Sequence, residues 1–399
     1  MNKKILSLIA IIVLLLPSFS GCVAYENFVN TFFRDDGELI RIGVFEPLSG
    51  TYSKYGALER TGIELAHDLY PEVDGKSVQL VFSDNESNIK RARSVAKELI
   101  KENVSVVLGS YDSTLSIAGG EVFQEAGVPA IAITNTNPVV TDAFDIYCRV
   151  CPVESDQGAA AAAYAVDNLR ADTVAVFKEK DDDFSDTLAR TFSDAFTAAA
   201  GTGGAIVLTE EYEKGQTDFQ DQMMAVKASG ATAVFFPSSW QMGIDVMAEA
   251  EKVGVTATFL GTDKWRTDEM LASYQSGAMP PMAFTTYYNE SARMTKMSTV
   301  FLDAYKEKYG EDSVPDPAIA LAFDAYLVAL ESVRAAGSSD DYGKILSALH
   351  ATKSFAGASG EITFDDAGNP IKPITMATVI NGKFVSIDSV KPGKEKGDS

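Results

Sequence analysis

Strands and helices alternate along this chain with great regularity from residue 39 onward, and this alternation restricts the fold more than any other feature. Short apolar runs of strand length are followed by longer segments in which apolar residues recur every three or four positions. In the first block the predicted strands are 39–45, 78–82, 104–108, 129–133 and 146–151. Strands that alternate with helices form parallel sheets covered on both faces. The pattern therefore predicts an α/β protein with doubly wound parallel sheets.

A second block of the same kind follows, which predicts a second lobe. Its predicted strands are 173–177, 205–208, 233–236 and 257–260, again with helices between them. The full length of 399 residues would be unusually large for a single hydrophobic core. Beyond Tyr287 the order changes, and the pattern predicts helices followed by strands. These helices are 294–309, 318–336 and 342–350, and the strands are 361–364 and 375–385.

The first 22 residues have the features of a secretory leader. Lys3 and Lys4 precede an apolar run over 5–16, and small residues follow just before Cys22. The run is shorter than the roughly 20 apolar residues that a membrane helix needs. The site resembles that of prokaryotic lipoproteins, so we predict a signal peptide over 1–21, lipid on Cys22 and a tether over 22–38. Ordinary cleavage, with Cys22 unmodified, is the alternative.

Charge and cysteine content narrow the functional classes. A formal net charge of −22 argues against binding to nucleic acid or to an anionic membrane surface, because both need basic patches. Cys148 and Cys151 lie three positions apart in a predicted strand, where their side chains would point to opposite faces. We therefore favour two buried thiols over a disulfide, although an exported protein could form one. Redox or metal chemistry at this pair is the least favoured interpretation.

Enzyme chemistry finds little support in the sequence. The two histidines, His67 and His350, are in predicted helices without the neighbours that a catalytic triad or a zinc site requires. No phosphate-binding, nucleophile-elbow or dinucleotide-binding motif stands between a strand and a helix. The acidic run 181–183 precedes a helix, where negative charge favours the helix dipole. We expect a binding protein without enzyme activity, cofactor or metal.

Polar loops follow several predicted strands at the sheet edge where α/β proteins bind ligands. Loops 109–114 and 134–138 each lead into a predicted helix, so hydroxyls and free backbone N–H groups would converge there. Such an arrangement suits a carboxylate or another small anion. In the second block, loop 261–263 places Asp263 after a strand, where it could face a cation.

Taken in order, these motifs resemble the leucine/isoleucine/valine-binding proteins, which are type I periplasmic substrate-binding proteins of ABC importers. The resemblance covers roughly residues 39–388 and rests on the following segments: Leu48-Ser-Gly50 with Tyr55-Gly56, Gly109 with Ser113, Thr136-Asn-Pro138, Ser155-Asp-Gln-Gly158 and Gly261-Thr-Asp263. It implies two lobes that close like a Venus flytrap about three crossings, near Glu154, Tyr287 and Phe355. Lobe I would comprise 39–154 and 287–354, and lobe II would comprise 155–286 and 355–388. We expect residues 389–399 to form a disordered tail.

The same resemblance implies roles for individual residues. Ser113 and Thr136 correspond to the hydroxyls that hold the ligand α-carboxylate. Asp263 corresponds to the acid that pairs with the α-ammonium, and Tyr55 corresponds to an aromatic ring over the ligand. The other expected ligand-binding residues are Tyr111, Asp112, Asn135, Phe184 and Ser238.

The side-chain pocket departs from the family pattern. Asp112 replaces a small or apolar residue, although a helix cap is the favoured interpretation of this acid. Ser238 stands where an aromatic residue is often found, and Phe184 stands where the second lobe often has a tyrosine. The pocket is therefore expected to be more polar than in the family.

The resemblance implies an exported lipoprotein on the outer face of the cytoplasmic membrane, and we expect a monomer. It would capture an amino acid, either branched-chain or small and polar, and deliver it to the permease subunits of an ABC importer. Two alternatives share this fold: a binder of a small amide, urea or carboxylate, and a sensory ligand-binding module.

Overall fold

The computed structural model describes residues 39–276, 279–290 and 292–391. The predicted leader, Cys22 and the tether lie outside these ranges, as do the last eight residues of the predicted tail. Within the described ranges, no helix combines the length and the apolar character needed to cross a membrane.

The first sheet is parallel apart from one short edge strand. Its strands are β1 Ile40–Glu46, β2 Glu72–Val73, β3 Lys76–Asp84, β4 Val106–Gly109, β5 Ala130–Ala132 and β6 Tyr147–Arg149. They are arranged in the order β2-β3-β1-β4-β5-β6, and only the β2–β3 pair is antiparallel. Strand β1 lies inside the sheet and is buried along nearly its whole length, as expected for a parallel strand covered on both faces.

Helices follow the strands of the first sheet, as the apolar periodicity predicts. They are α1 Ser53–Leu69, α2 Ile89–Lys101, α3 Ser113–Ala126 and α4 Val139–Asp142. Local sequence sets their ends. The side chain of Asn88 accepts hydrogen bonds from two backbone N–H groups of α2, and Gly127 ends α3 in the left-handed conformation with φ 69°.

The second sheet begins after α5 Glu154–Asp167. Its first strands are β7 Thr173–Glu179, β8 Ala205–Tyr212, β9 Ala233–Phe235, β10 Thr258–Gly261 and β11 Met282–Thr286. Its helices are α6 Asp183–Ala200, α7 Gln220–Ser229, α8 Trp240–Val253 and α9 Asp268–Ser276. The strands pair in parallel throughout. The sequence pattern did not predict α9 or β11.

Three further helices return to the first lobe: α10 Lys296–Tyr309, α11 Pro317–Ala336 and α12 Tyr342–His350. Helix α11 is buried along most of its length. It packs closely on α1 at Gly62, where a Cβ atom would stand 2.1 Å from the carbonyl oxygen of Ile319. A glycine at this position therefore sets the distance between the two helices.

A small hairpin places the third crossing later than expected. Its strands are β12 Phe355–Gly357 and β13 Gly360–Ile362. Asp324 of α11 accepts hydrogen bonds from the backbone N–H groups of Ala358 and Ser359, which fixes the hairpin to the first lobe. The chain therefore enters the second lobe just before Ile374 and not at Phe355.

Two antiparallel strands complete the second sheet, β14 Ile374–Ile380 and β15 Lys383–Val390. The full order is β15-β14-β11-β10-β9-β7-β8. The predicted single strand over 375–385 is instead a hairpin that turns at Asn381 and Gly382, with φ 51° and 69°. Asn-Gly is a strong signal for this turn, because both residues tolerate positive φ. Strand β15 continues to Val390, so the predicted tail starts two residues too early.

Apolar side chains fill both faces of each sheet. In the first lobe, one buried cluster includes Ile42 and Phe323, and another includes Phe45 and Phe123. In the second lobe, separate clusters lie on the two sides of the sheet. The prediction of two doubly wound lobes is therefore confirmed.

Cys148 and Cys151 are both buried and not bonded to each other. Cys148 belongs to β6, whereas Cys151 lies beyond it and donates a hydrogen bond from Sγ to the carbonyl oxygen of Asn135 at 3.1 Å. Burial raises the pKa of both thiols, that of Cys151 to about 12. Both are therefore thiols at neutral pH, in line with the favoured interpretation.

Candidate functional site

A cleft of about 620 Å³ lies between the lobes, at the carboxyl ends of their parallel strands. Seven of the nine predicted ligand-binding residues line it: Tyr55, Tyr111, Asp112, Ser113, Thr136, Phe184 and Asp263. Five come from loops and helix N-termini of the first lobe, and Phe184 and Asp263 come from the second. The fold thus brings together side chains that are far apart in sequence.

The N-terminus of α3 forms one part of the cleft wall. Asp112 is the cap residue of this helix, and its Oδ1 accepts a hydrogen bond from the backbone N–H of Thr114 at 2.9 Å. Ser113 follows as the first helical residue and lines the cleft. The helix terminus directs N–H groups and the positive end of its dipole toward this wall, which favours an anion. The interpretation of Asp112 as a helix cap is confirmed.

The turn that carries Thr136 lies beside it and is held by a buried arginine. The guanidinium of Arg149 donates to the carbonyl oxygens of Asn135 and Asn137, at 2.7 and 3.0 Å. It also donates to the hydroxyl of Thr141 at 2.7 Å. Arg149 is fully buried. Arg149 was not predicted as a site residue, because a single arginine in a strand gives no sign that it is buried.

Aromatic rings form a second part of the first-lobe wall. Tyr55 and Tyr111 stack with ring centroids 4.7 Å apart and planes inclined by 9°. Tyr52 lies 5.8 Å from Tyr111. The negative charge of Asp112 is the largest cause that raises the pKa of Tyr52, followed by burial. Tyr52 was not predicted, although its position three residues before Tyr55 was an available signal.

Asp263 forms the opposite wall and has an unused hydrogen-bond acceptor. Its Oδ1 is shielded from solvent and receives no hydrogen bond from the described residues. Burial raises the pKa of Asp263, while the charge of Lys264 and hydrogen bonds from Tyr287 and Gln157 act in the opposite direction. A buried carboxylate oxygen without a donor costs free energy unless a cation or a donor pairs with it.

Gln157 connects Asp263 to the neighbouring strand. Its Oε1 accepts hydrogen bonds from the backbone N–H of Asp263 at 3.3 Å and from the hydroxyl of Thr285 at 2.5 Å. Its Nε2 donates to the hydroxyl oxygen of Tyr287 at 2.5 Å. The motif Ser155-Asp-Gln-Gly158 therefore positions the acid of the second lobe.

Comparison with known proteins identifies the family. Residues 39–383 match the family model described as periplasmic binding protein. The chain belongs to the periplasmic binding protein family. The resemblance inferred from the order of the sequence motifs is thereby confirmed.

This periplasmic binding protein matches individual relatives over nearly the whole length of each relative. The chain is 25% identical over 395 residues to Leu/Ile/Val-binding protein homolog 3 of Brucella melitensis, covering 97% of this chain and 100% of that protein. Leucine-binding protein LivK of Thermotoga maritima is 31% identical with a TM-score of 0.77, covering 88% of this chain and 99% of that one. The branched-chain amino acid binding protein LivJ of Streptococcus pneumoniae, solved with isoleucine, is 27% identical with a TM-score of 0.75, covering 89% and 100%.

Two predicted residues lie behind the cleft wall of this binding protein. The side chain of Asn135 is almost fully buried and donates from Nδ2 to the carbonyl oxygen of Ser110 at 2.8 Å. Ser238 is also buried and donates to the carbonyl oxygen of Ser239 at 3.0 Å. In both segments a neighbouring residue lines the cleft instead, because successive side chains in extended backbone point to opposite sides.

Several charged and aromatic residues of the cleft were not predicted as ligand contacts. They include Glu154, Trp240, Lys264, Arg266 and Asp316. The ammonium of Lys264 lies 3.5 Å from the centroid of the Phe184 ring, which gives this side of the cleft a cation–π contact. Burial raises the pKa of Glu154 to about 7, and the charges of Lys264 and Arg149 oppose the rise.

Proposed function

We propose that this chain captures a free α-amino acid between its lobes and delivers it to an ABC importer. The observation that carries the proposal is the unused, shielded Oδ1 of Asp263, which lies across the cleft from the N-terminus of α3. An α-amino acid fits both features, because its ammonium can donate to Asp263 and its carboxylate can accept from the loops of Ser113 and Thr136. The relatives named as leucine- or isoleucine-binding proteins support the same ligand class.

The two head-group contacts would supply a large part of the binding free energy. A hydrogen bond to a charged group contributes about 1.5–3 kcal/mol net. Two such contacts, one at each end of the zwitterion, would account for much of a micromolar affinity, which corresponds to about 8 kcal/mol. The stacked rings of Tyr55 and Tyr111 would contribute apolar area beside the head group.

The lining of the cleft favours amino acids with small or polar side chains, which would compete with leucine, isoleucine and valine for the site. Asp182 and Lys264 both line the second-lobe wall, next to Phe184. Trp240 offers an aromatic surface in the same wall. A wall that combines charges with aromatic rings can accept a polar group without leaving it unpaired.

Closure of the lobes would complete the site. Lys54 of α1 and Glu269 of α9 already approach to 3.6 Å across the cleft, but both side chains are largely exposed. An exposed ion pair contributes about 1 kcal/mol at most, so the ligand has to supply most of the free energy of closure. Small-angle scattering should show a more compact particle with bound ligand, and an unchanged profile would argue against closure.

Export and anchoring are the remaining parts of the proposal. We infer that the chain is exported, carries lipid on Cys22 at the outer face of the cytoplasmic membrane, and acts as a monomer. The basic and apolar leader supports export, and the small residues before Cys22 support lipid attachment. The partners would be the amino acid and the permease subunits of the importer.

Thermal-shift screening of the exported domain tests the ligand class. The panel should contain the twenty amino acids, simple amides, urea and small carboxylates. A ligand at 100 times its dissociation constant should add about 2.7 kcal/mol to the free energy of unfolding. Stabilisation by amides or carboxylates without any amino acid would favour the alternative function, which does not need Asp263.

A further inference from the structure

Two buried carboxyl groups meet directly behind the ligand-facing loops of the first lobe. Glu46 is the last residue of β1, Glu59 lies in α1, and both are fully buried. No Lys, Arg or His of the described residues forms an ion pair with either side chain. Arg60, the next residue along α1, pairs instead with Glu64 at 2.7 Å. Burying two carboxylates together without a cation would be very costly.

The hydrogen bonds of the pair require a proton between them. Glu46 accepts a hydrogen bond on Oε2 from the backbone N–H of Tyr111 at 2.9 Å, and Glu59 accepts one on Oε1 from the hydroxyl of Thr134. The other oxygen of each group receives no hydrogen bond from an amide or hydroxyl of the described residues. These two unpaired oxygens belong to neighbouring side chains, because each carboxyl group acts on the pKa of the other as a hydrogen-bond partner. Two ionised carboxylates accept only, so one must be protonated to donate.

The pair connects the two loops that face the cleft. Tyr111 belongs to the loop before α3, and Thr134 belongs to the turn that also carries Thr136. Gly109 makes this arrangement possible, since a Cβ atom there would stand 2.0 Å from Oε1 of Glu46 and its φ is 103°. A change in the charge of the pair would therefore act on both loops at once.

We propose that Glu46 and Glu59 share one proton and are positioning residues, whose singly protonated form holds the two loops in place for the ligand carboxylate. Loss of this proton separates the two side chains by repulsion and adds a negative charge behind the carboxylate site, so it weakens binding. The effect on binding rests on the proposed function, which supplies the ligand, whereas the shared proton does not depend on that function.

The surroundings of the pair raise the pKa of both carboxyl groups. Burial, the largest cause, and the charge of Glu59 raise the pKa of Glu46 well above its usual range. Burial raises the pKa of Glu59 to about 7. Asp316 faces the pair from α11 and adds to the rise.

The other ionisable groups that face the pair are neutral at moderate pH. They are Tyr111 from the loop before α3, Tyr147 from β6 and Cys151 from the first crossing. Burial raises the pKa of each of these three groups. Among the described residues, Asp316 is the further carboxyl whose charge acts on the pair, so a pH experiment needs D316N beside the wild type.

Infrared spectroscopy of the ligand-free protein tests the shared proton. The difference spectrum between wild type and E59Q at neutral pH should show the absorption of a protonated carboxyl group, and so should the difference with E46Q. A glutamine in either position donates to the remaining glutamate, which then ionises. E64Q, which replaces a partly exposed glutamate of the same helix, is the matched control and should show no such difference. Absence of the carboxyl band from both difference spectra would overturn the proposal that Glu46 and Glu59 share a proton.

Calorimetry with L-leucine between about pH 6 and pH 9 tests the positioning role. Above the pKa at which the pair loses its shared proton, the dissociation constant of the wild type should rise relative to that of E59Q by up to about tenfold per pH unit. E64Q should follow the wild type, whereas D316N, which removes a charge that raises the pKa of Glu59, should shift the rise in the dissociation constant to lower pH without abolishing it. Taking the ratio to E59Q removes the titration of the leucine ammonium, which is common to both proteins. Parallel profiles of wild type and E59Q, or a profile that only D316N flattens, would overturn the positioning role.

Hydrogen exchange keeps the two proposals separable if leucine does not bind. Protection of the Tyr111 backbone N–H in the ligand-free wild type should fall with rising pH relative to E59Q. Failure of every amino acid to bind would refute the proposed function alone. Equal protection of Tyr111 in both proteins at every pH would refute the positioning role alone.

Discussion

Replacement of Arg149 by methionine should destabilise the first lobe and weaken ligand binding together. Methionine has a similar length but cannot donate to the carbonyl oxygens of Asn135 and Asn137 or to the hydroxyl of Thr141. The two shortest of these bonds are both 2.7 Å long. At about 1.5 kcal/mol for each hydrogen bond to a charged group, their loss gives about 3 kcal/mol. The longer bonds would add to this figure, while relief of guanidinium burial would reduce it.

Urea unfolding and calorimetry measure the two effects of R149M. The midpoint should fall by about 1 M, because 3 kcal/mol divided by a slope of about 3 kcal/mol per M, the upper end of the range for small proteins, gives this shift. Ligand affinity should also fall, because the turn that carries Thr136 loses its support. R190M, at an exposed position of α6, is the matched control. If R149M unfolds at the same urea concentration as R190M, the argument that Arg149 holds this turn is refuted.

Three further predictions concern helix packing, pH and the leader. G62A should lower the free energy of unfolding by about 1–3 kcal/mol, because its Cβ would stand 2.1 Å from the carbonyl oxygen of Ile319. G203A, which has open space around it, should lower this free energy much less in the same urea titration. Equal losses in the two variants would contradict the close packing at Gly62. Because burial raises the pKa of Glu59, the protonated side chain stabilises the folded state. This contribution is complete below the unfolded pKa of about 4.5 and is lost as pH rises through about 7. The free energy of unfolding of the wild type should therefore fall relative to that of E59Q over this range, and parallel plots of the two free energies against pH would refute the prediction. C22S should release the exported protein from membranes or leave an unprocessed precursor, as fractionation and immunoblotting can show, and a wild-type protein that washes off without detergent would exclude the anchor.

The sequence predicted the two sheets because their strands have a strong and regular pattern. The buried strands of each sheet are short apolar runs, and the helices between them carry apolar residues at helical spacing. The prediction was less successful where local signals compete. The run 375–385 is apolar enough for one strand, yet Asn381-Gly382 turns it into a hairpin. The hairpin at Phe355 belongs to the first lobe through its contact with Asp324, which depends on tertiary structure alone.

The site was predictable at the level of loops but not of every side chain. Resemblance to a known family located Ser113, Thr136 and Asp263, which all line the cleft. Asn135 is adjacent to Thr136 but faces away, because one step along an extended chain reverses the direction of the side chain. Glu59 resembles any glutamate of an amphipathic helix in the sequence. Its burial follows from the packing of α11 on α1, which no local pattern records.

The central claim is that Asp263 pairs with the ammonium of a bound amino acid, and a calorimetric cycle tests it most directly. The cycle compares L-leucine with its des-amino analogue, 4-methylpentanoate, on wild type and D263N, with D194N as an exposed control in the same lobe. We expect D263N to weaken leucine binding about a hundredfold, corresponding to about 2.7 kcal/mol, and to change binding of the analogue only a few-fold. Equal affinity of the wild type for leucine and the analogue would contradict it.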